Sequence, residues 1–178
     1  PIRHSLSPFL HTAWLRQMGL NGVYAPFAPR DEHGFDRLIL SCRSNGIKGL
    51  NVTAPFKAQA LALADTVTDT AKKAGSANLL TFDEDGYVHA DSTDGHGLIR
   101  AFEMQAPACD LAAAPAVILG AGGAARAAAA ALLDKGCPEV RIVNRPLARA
   151  EALVFAFGKG VTAFDLTAAR AVIEAEAA

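Results

Sequence analysis

One segment constrains the fold of this chain more than any other: Gly120-Ala121-Gly122-Gly123-Ala124-Ala125-Arg126. An apolar run at 116–119 leads into it, and an alanine-rich stretch at 124–135 leads out toward a second apolar run at 140–144. Strand, glycine turn, helix and second strand in that order are the setting of a dinucleotide-binding βαβ unit. Gly120 permits the tight turn, Gly122 lets the backbone approach a pyrophosphate, and Ala125 lets the helix lie close on the strand. Ala121, Gly123 and Ala124 belong to the same loop and helix start, where free N–H groups and the helix dipole favour phosphate. A glycine-alanine turn in an α/β domain that binds nothing is the competing reading, and it does not require the whole sequence of elements.

The periodicity elsewhere agrees with an α/β chain. After the loop it predicts a helix at 149–157, a strand at 161–164 and a helix from Thr167 onward, so strands and helices alternate as in a parallel doubly wound sheet. Before the loop the pattern is mixed. Ser7-Pro8 reads as a helix start with Ser7 as N-cap, followed by Phe9, Leu10, Ala13 and Trp14 at helical spacing and stopped by Gly19. Strands are expected at 23–28 and 47–52, helices at 34–44, 57–65 and 70–74, and a hairpin of 77–82 with 87–91 around Asp85-Gly86. A helix at 95–105 links the two halves, and Ala106-Pro107 with 112–115 marks a small-residue junction. The expected architecture is an N-terminal α/β substrate domain, 1–105, followed by a Rossmann-like dinucleotide-binding domain, 106–178. The sequence opens on Pro1 and stops at Ala178 within a helical pattern, with fewer strands than a complete dinucleotide fold. Both ends of a longer protein are therefore expected to be absent.

Composition narrows the partners. Apolar residues make up 51% of the 178 and charged residues 20%, the profile of a globular protein. A net charge of -1 offers no field for nucleic acid or an anionic membrane surface. The longest apolar runs, such as 127–133, fall far short of the ~20 residues a membrane helix needs, and no secretory signal pattern opens the chain. Cys42, Cys109 and Cys137 are widely spaced without a CxxC pair, which fits reduced thiols and a cytoplasmic setting. His4 and His11 read as structural or surface residues, and no pair of histidines has metal-ligand spacing, so no metal is expected. The partner class left is a small molecule.

Two further segments carry chemistry. Asn51-Val52-Thr53-Ala54-Pro55-Phe56-Lys57 places a lysine at a helix start just beyond a strand end. Asn51 and Thr53 precede it at alternate positions and would face one pocket. Asp91-Ser92-Thr93-Asp94-Gly95 offers a carboxylate that could orient Lys57 and accept a substrate hydroxyl, though Asp94 also suits a helix N-cap. Ser5 and Ser7 flank Leu6, and from an extended segment both hydroxyls would point the same way. Cofactor choice is read at the end of the second strand after the glycine loop. There the chain has Asn144-Arg145, with Arg149 one helical turn later, where an acidic residue would have favoured NAD. Guanidinium groups suit a 2′-phosphate, which implies NADP(H).

The lysine segment, the aspartate segment and the Ser5-Leu6-Ser7 start resemble the shikimate dehydrogenase family, and the likeness runs from Pro1 to about residue 150. The resemblance implies reversible, NADP-linked oxidation of shikimate to 3-dehydroshikimate. It assigns catalysis to Lys57 and Asp94. It assigns substrate binding to Ser5, Ser7, Asn51, Thr53, Lys57, Asn78 and Asp94, with the serines on the carboxylate. Asn144, Arg145 and Arg149 fall on the cofactor segment. Four positions depart from the family's usual residues: Ala54 at a tolerant position, Leu79 and Pro146 where threonine is customary, and Ser92 where asparagine is. The family's C-terminal substrate-binding glutamine and its Gly-Met segment near the nicotinamide are not found in this sequence, so the 178 residues alone are expected to turn over little. The alternatives are an NAD(P)-dependent quinate/shikimate dehydrogenase and a non-catalytic relative that binds a shikimate-like ligand. A homodimer is compatible with each, and the sequence does not fix the oligomeric state.

Overall fold

The computed structural model describes Ile2 and residues 4–174. The chain divides into two compact units, 1–40 and 41–178. In the first, helix α1 spans Ser7–Gln17 with Pro8 in its first turn, and Gly19, at φ 65°, lies just past its C-cap. Ser7 is not the N-cap as expected. Leu6 occupies that position with right-handed helical torsions (φ -84°, ψ -4°), so the backbone around the two serines is already turning rather than extended. The strand expected at 23–28 does not form. Pro26 lacks an N–H for a ladder, and Val23 is 91% exposed, so neither pairing nor burial favours one. Helix α2, Glu32–Cys42, begins in this unit and ends in the next. It starts two residues earlier than expected because Asp31 caps it, its carboxylate accepting the Gly34 N–H at 2.7 Å. Phe35, Ile39 and Cys42 recur at helical spacing and are buried.

The second unit holds two sheets. Strands β1 (Gly49–Asn51), β2 (Thr66–Val67), β3 (Leu79–Phe82) and β4 (Val88–Asp91) lie in the order β1-β3-β4-β2. β3 and β4 form the expected antiparallel hairpin, with Leu80 opposite Ala90. β2 pairs parallel to β4 and lies outside the expected elements, since two residues show no periodicity. Helices α3 (Lys57–Ala62) and α4 (Asp69–Ala74) accompany this sheet. Thr68 caps α4 through its hydroxyl, and Gly75 closes it in the left-handed region at φ 60°. Leu80, Val88 and Ala90 are almost wholly buried.

Helix α5, Asp94–Gln105, leads to the second sheet, β5 (Ala116–Leu119), β6 (Val140–Val143) and β7 (Val161–Phe164). All pairings in it are parallel, in the order β5-β6-β7, as strand-helix alternation requires. Helix α6 (Gly123–Asp134) crosses from β5 to β6, and α7 (Leu147–Phe157) crosses from β6 to β7. The central strand β6 buries Val140, Ile142 and Val143, and the core around it includes Ile99, Ala129, Leu132, Ala150, Leu153 and Val161. Each such buried large aliphatic side chain contributes about 1.5–3 kcal/mol. After β7 a short 3-10 turn, Leu166–Ala168, capped by Asp165, passes into α8 (Ala169–Glu174). The fold is thus α/β, a mixed-sheet part followed by a Rossmann-like parallel part.

Candidate active site

Lys57 is the first residue of α3, and Asp94 is the first residue of α5. Their side chains meet. The lysine Nζ lies 2.6 Å from Asp94 Oδ2, with the two side chains 25% and 28% exposed. A charge-assisted bond of this length in a partly dry setting holds both groups in place yet leaves them open to a ligand. Asp94 is therefore not the N-cap of α5, a position taken by Thr93, because its carboxylate is turned toward the lysine.

Asn78 completes the arrangement. Its Nδ2 donates to Asp94 Oδ1 at 2.8 Å and to Thr93 Oγ1 at 3.0 Å, while its Oδ1 accepts the Thr93 N–H at 2.9 Å. Backbone bonds lock this part of the chain: the Ala77 N–H donates to the Lys57 carbonyl at 2.9 Å, and the Val52 N–H to the Asn78 carbonyl at 2.8 Å. Segments 52–57, 77–78 and 93–94, far apart in sequence, thus form one cluster. Asn51 and Thr53 are exposed on either side of buried Val52, as alternation predicts. Sequence reasoning overlooked Thr93, which anchors both ends of the Asn78 amide. It also overlooked what Gly95 does. A Cβ on Gly95 would stand 2.8 Å from Ala131 Cβ and 3.0 Å from the Ala127 carbonyl, so the glycine lets α5 and α6 approach closely. Its place directly after Asp94 was the available signal.

Ser5 and Ser7 belong to the first unit. The Ser5 hydroxyl accepts the Ser7 N–H at 3.3 Å, and the Ser7 carbonyl accepts a hydrogen bond from His11 Nδ1 at 2.9 Å. The His11 ring stacks on Tyr24 at 4.0 Å between centroids, a structural role as expected.

The glycine loop has the geometry a phosphate site needs. Gly120 sits at φ 111°, a torsion that L side chains avoid. Its N–H donates to the Val143 carbonyl at 2.8 Å, which ties the turn to β6. Among the described residues nothing lies within 4 Å of where a Cβ on Gly120 or Gly122 would stand, so the backbone there is open to an approaching group. No side chain caps α6, which leaves its first N–H groups available, and Ala125 is buried. At the end of β6 the Asn144 Nδ2 donates to the Pro146 carbonyl at 2.7 Å. Arg145 and Arg149 are exposed, and among the described residues neither side chain has a hydrogen bond or an ion pair. These features fit a dinucleotide bearing a 2′-phosphate. Among the described residues no group of three or more His, Cys, Asp and Glu could hold a metal, and no helix is long and apolar enough to cross a membrane.

Comparison with known proteins agrees with the geometry. The family model for the shikimate dehydrogenase substrate binding domain matches residues 1–80, and the model for shikimate / quinate 5-dehydrogenase matches residues 103–177. A shikimate dehydrogenase (NADP(+)) of Caulobacter vibrioides is 55% identical over 163 residues, which span 92% of this chain and 57% of that protein. Shikimate 5-dehydrogenase from Thermus thermophilus, in complex with NADP(H) and shikimate, superposes with a TM-score of 0.75 at 35% identity, covering 91% of this chain and 59% of that one. Quinate dehydrogenase from Corynebacterium glutamicum, in complex with NAD, superposes with a TM-score of 0.87 at 28% identity, covering 99% and 65%. The chain spans somewhat over half the length of the curated relatives it matches. With the lysine-aspartate cluster, the glycine loop and two family matches along most of its length, this chain belongs to the shikimate dehydrogenase family.

Proposed function

We propose that this chain is the greater part of an NADP-dependent shikimate dehydrogenase that reversibly reduces 3-dehydroshikimate to shikimate in the cytoplasm, within aromatic amino acid biosynthesis. The observation that carries the reading is the 2.6 Å contact of Lys57 with Asp94, seated on Asn78. When bound, NADPH supplies the hydride for the substrate carbonyl, and NADP⁺ takes it back in the reverse direction. Lys57 gives a proton to the oxygen as negative charge develops on it. Asp94 holds the lysine in place and accepts a bond from a neighbouring substrate hydroxyl. Asn51, Thr53 and Asn78 bind further hydroxyls, and Ser5 and Ser7 take the carboxylate on the strength of their motif.

Gly120, Ala121, Gly122, Gly123 and Ala124 would hold the pyrophosphate through backbone N–H groups. Asn144, Arg145 and Arg149 would hold the 2′-phosphate and adenosine end. In the proposed organisation residues 1–105 form the substrate and catalytic domain and 106–178 the nucleotide domain, a division that the two family matches support.

The likeness to an NAD-bound quinate dehydrogenase favours one second reading, an NAD(P)-dependent quinate/shikimate dehydrogenase. Two guanidinium groups where NAD would want a carboxylate speak for NADP. A non-catalytic ligand-binding relative would have no need of an intact lysine-aspartate pair. A homodimer belongs to the proposal, and α1, which buries none of its residues, is a face a second copy could cover. Light scattering at graded concentration reads the mass. NADP⁺ reduction with shikimate, against NAD⁺ and quinate controls, tests the activity. Shikimate binding without turnover in a form as long as its relatives would favour the ligand-binding reading.

A further inference from the structure

The geometry points to Arg126 as a positioning residue that ties the dinucleotide loop to the lysine-aspartate cluster; the inference rests on the function proposed above. Arg126 lies in the first turn of α6, and its backbone N–H donates to the Gly122 carbonyl at 3.1 Å. Its side chain reaches across to α4. The Nε donates to the Lys73 carbonyl at 3.0 Å, one of the carbonyls at the C-terminal end of that helix. A cation there also complements the negative end of the helix dipole.

The contact with Gly75 is closer still. A Cβ on Gly75 would stand 2.4 Å from both Cζ and Nη1 of Arg126, so the guanidinium lies directly on the Gly75 backbone. Gly75 is left-handed, at φ 60°, and turns the chain from α4 into Ser76, Ala77 and Asn78. Ala77 is bonded to the Lys57 carbonyl at 2.9 Å, and Asn78 to Asp94 at 2.8 Å. A few residues of backbone therefore connect the guanidinium to the proton-transfer pair, and one helical turn connects it to the nucleotide loop. Nearby, the buried Ser76 Oγ lies 3.9 Å from the place of the missing Cβ of Gly123 in the loop, a second point where α6 meets the 75–78 segment. Further along, Lys73 Nζ reaches both carboxylate oxygens of Asp134, at 2.6 and 2.9 Å, so α4 and α6 are also fastened at the far end of α6. That outer ion pair is half exposed and screened by solvent, whereas the Arg126 contact is made to backbone that leads into the site.

The test has a ligand-free arm and a kinetic arm. In the free chain, native-state amide exchange is measured for wild type, Arg126→Ala, Gly75→Ala and the double variant. Positioning predicts that Arg126→Ala speeds exchange of the Ala77 and Asn78 amides about tenfold or more, with the Leu80 and Ile142 amides little changed. A merely structural role would speed all of them alike, and that result overturns the inference, as does no change at Ala77. Gly75→Ala should harm the same amides but should harm them less when Arg126 is already Ala, because the collision is gone; additive effects contradict the contact. In an active form of the enzyme, Arg126→Ala should lower kcat about ten- to a hundred-fold with KM for NADP⁺ nearly unchanged, as misplacement of acting groups does. A rise in KM with kcat intact would make Arg126 a phosphate ligand instead and overturn the positioning role. If wild type neither binds NADP⁺ nor turns over shikimate, the proposed function fails, and the exchange arm still decides the contact.

Discussion

The Asn78 side-chain amide bridges Asp94 and Thr93, donating to the Asp94 carboxylate at 2.8 Å and accepting the Thr93 N–H at 2.9 Å. It thereby fixes the carboxylate oxygen that Lys57 does not hold. Replacing Asn78 with Ala leaves the Thr93 N–H and one carboxylate oxygen to water. The expected result is a loss of about 0.5–1.5 kcal/mol of stability per bond removed and a fall in turnover of about tenfold from a loosened Asp94. Urea titration and steady-state kinetics on the variant check both.

Much of this is legible in the sequence, and the reasons differ by element. The β5-α6-β6 unit can be read because both parallel strands show as apolar runs, half-buried in β5 and buried in β6, and the Gly120 turn follows the first directly. The β3-β4 hairpin follows from Asp85-Gly86, which turns as expected, with Gly86 at φ 82°. The strand expected at 23–28 fails because a short apolar run records a preference, whereas a strand requires a partner ladder. Ser7 is not a cap because a serine before a proline satisfies the composition rule whether the helix starts at it or beside it. The lysine and aspartate are recognisable only through motif resemblance, since a lysine at a helix start is ordinary by itself. The seating of Asp94 by Asn78 and Thr93 and the closeness of α5 to α6 at Gly95 depend on long-range packing that no local pattern encodes.

Gly95 gives a stability prediction. A methyl group there would press on Ala131 and on the Ala127 carbonyl, at 2.8 and 3.0 Å, both in the body of a helix. Gly95→Ala should destabilise the protein by about 1–3 kcal/mol, the range for overpacking. A denaturant midpoint shifted downward, with the slope retained, is the expected signature.

Cofactor preference should follow the two guanidinium groups at the end of β6. If these side chains hold the 2′-phosphate as proposed, Arg145→Ala or Arg149→Ala would forgo charge-assisted bonds to it worth about 1.5–3 kcal/mol each, so NADP⁺ affinity should fall about ten- to a hundred-fold. NAD⁺ affinity, which involves no 2′-phosphate, should barely move. Isothermal titration with both nucleotides reads the difference.

Acid stability should depend on Asp65. The Arg43 guanidinium donates to its carboxylate at 2.6 Å and the Val88 N–H at 2.7 Å, and these bonds hold its pKa below the ordinary 3.8. A carboxyl whose folded pKa is depressed binds fewer protons in the native state than in the unfolded chain. Its contribution is therefore complete above the ordinary value and is lost as pH falls through the lower folded value. Asp65→Asn should flatten the acid limb of a Tm-versus-pH profile and leave its neutral limb parallel to wild type.

The central claim is that Lys57 and Asp94 act together in proton transfer during NADP-linked shikimate oxidation. The most direct measurement is NADPH formation from NADP⁺ and shikimate, made on this chain and on any longer form that carries it, with Lys57→Ala and Asp94→Ala alongside. The account predicts turnover in the active wild-type form and a loss of about 10²–10⁴-fold in kcat for each variant. Near wild-type kcat in both variants would contradict it.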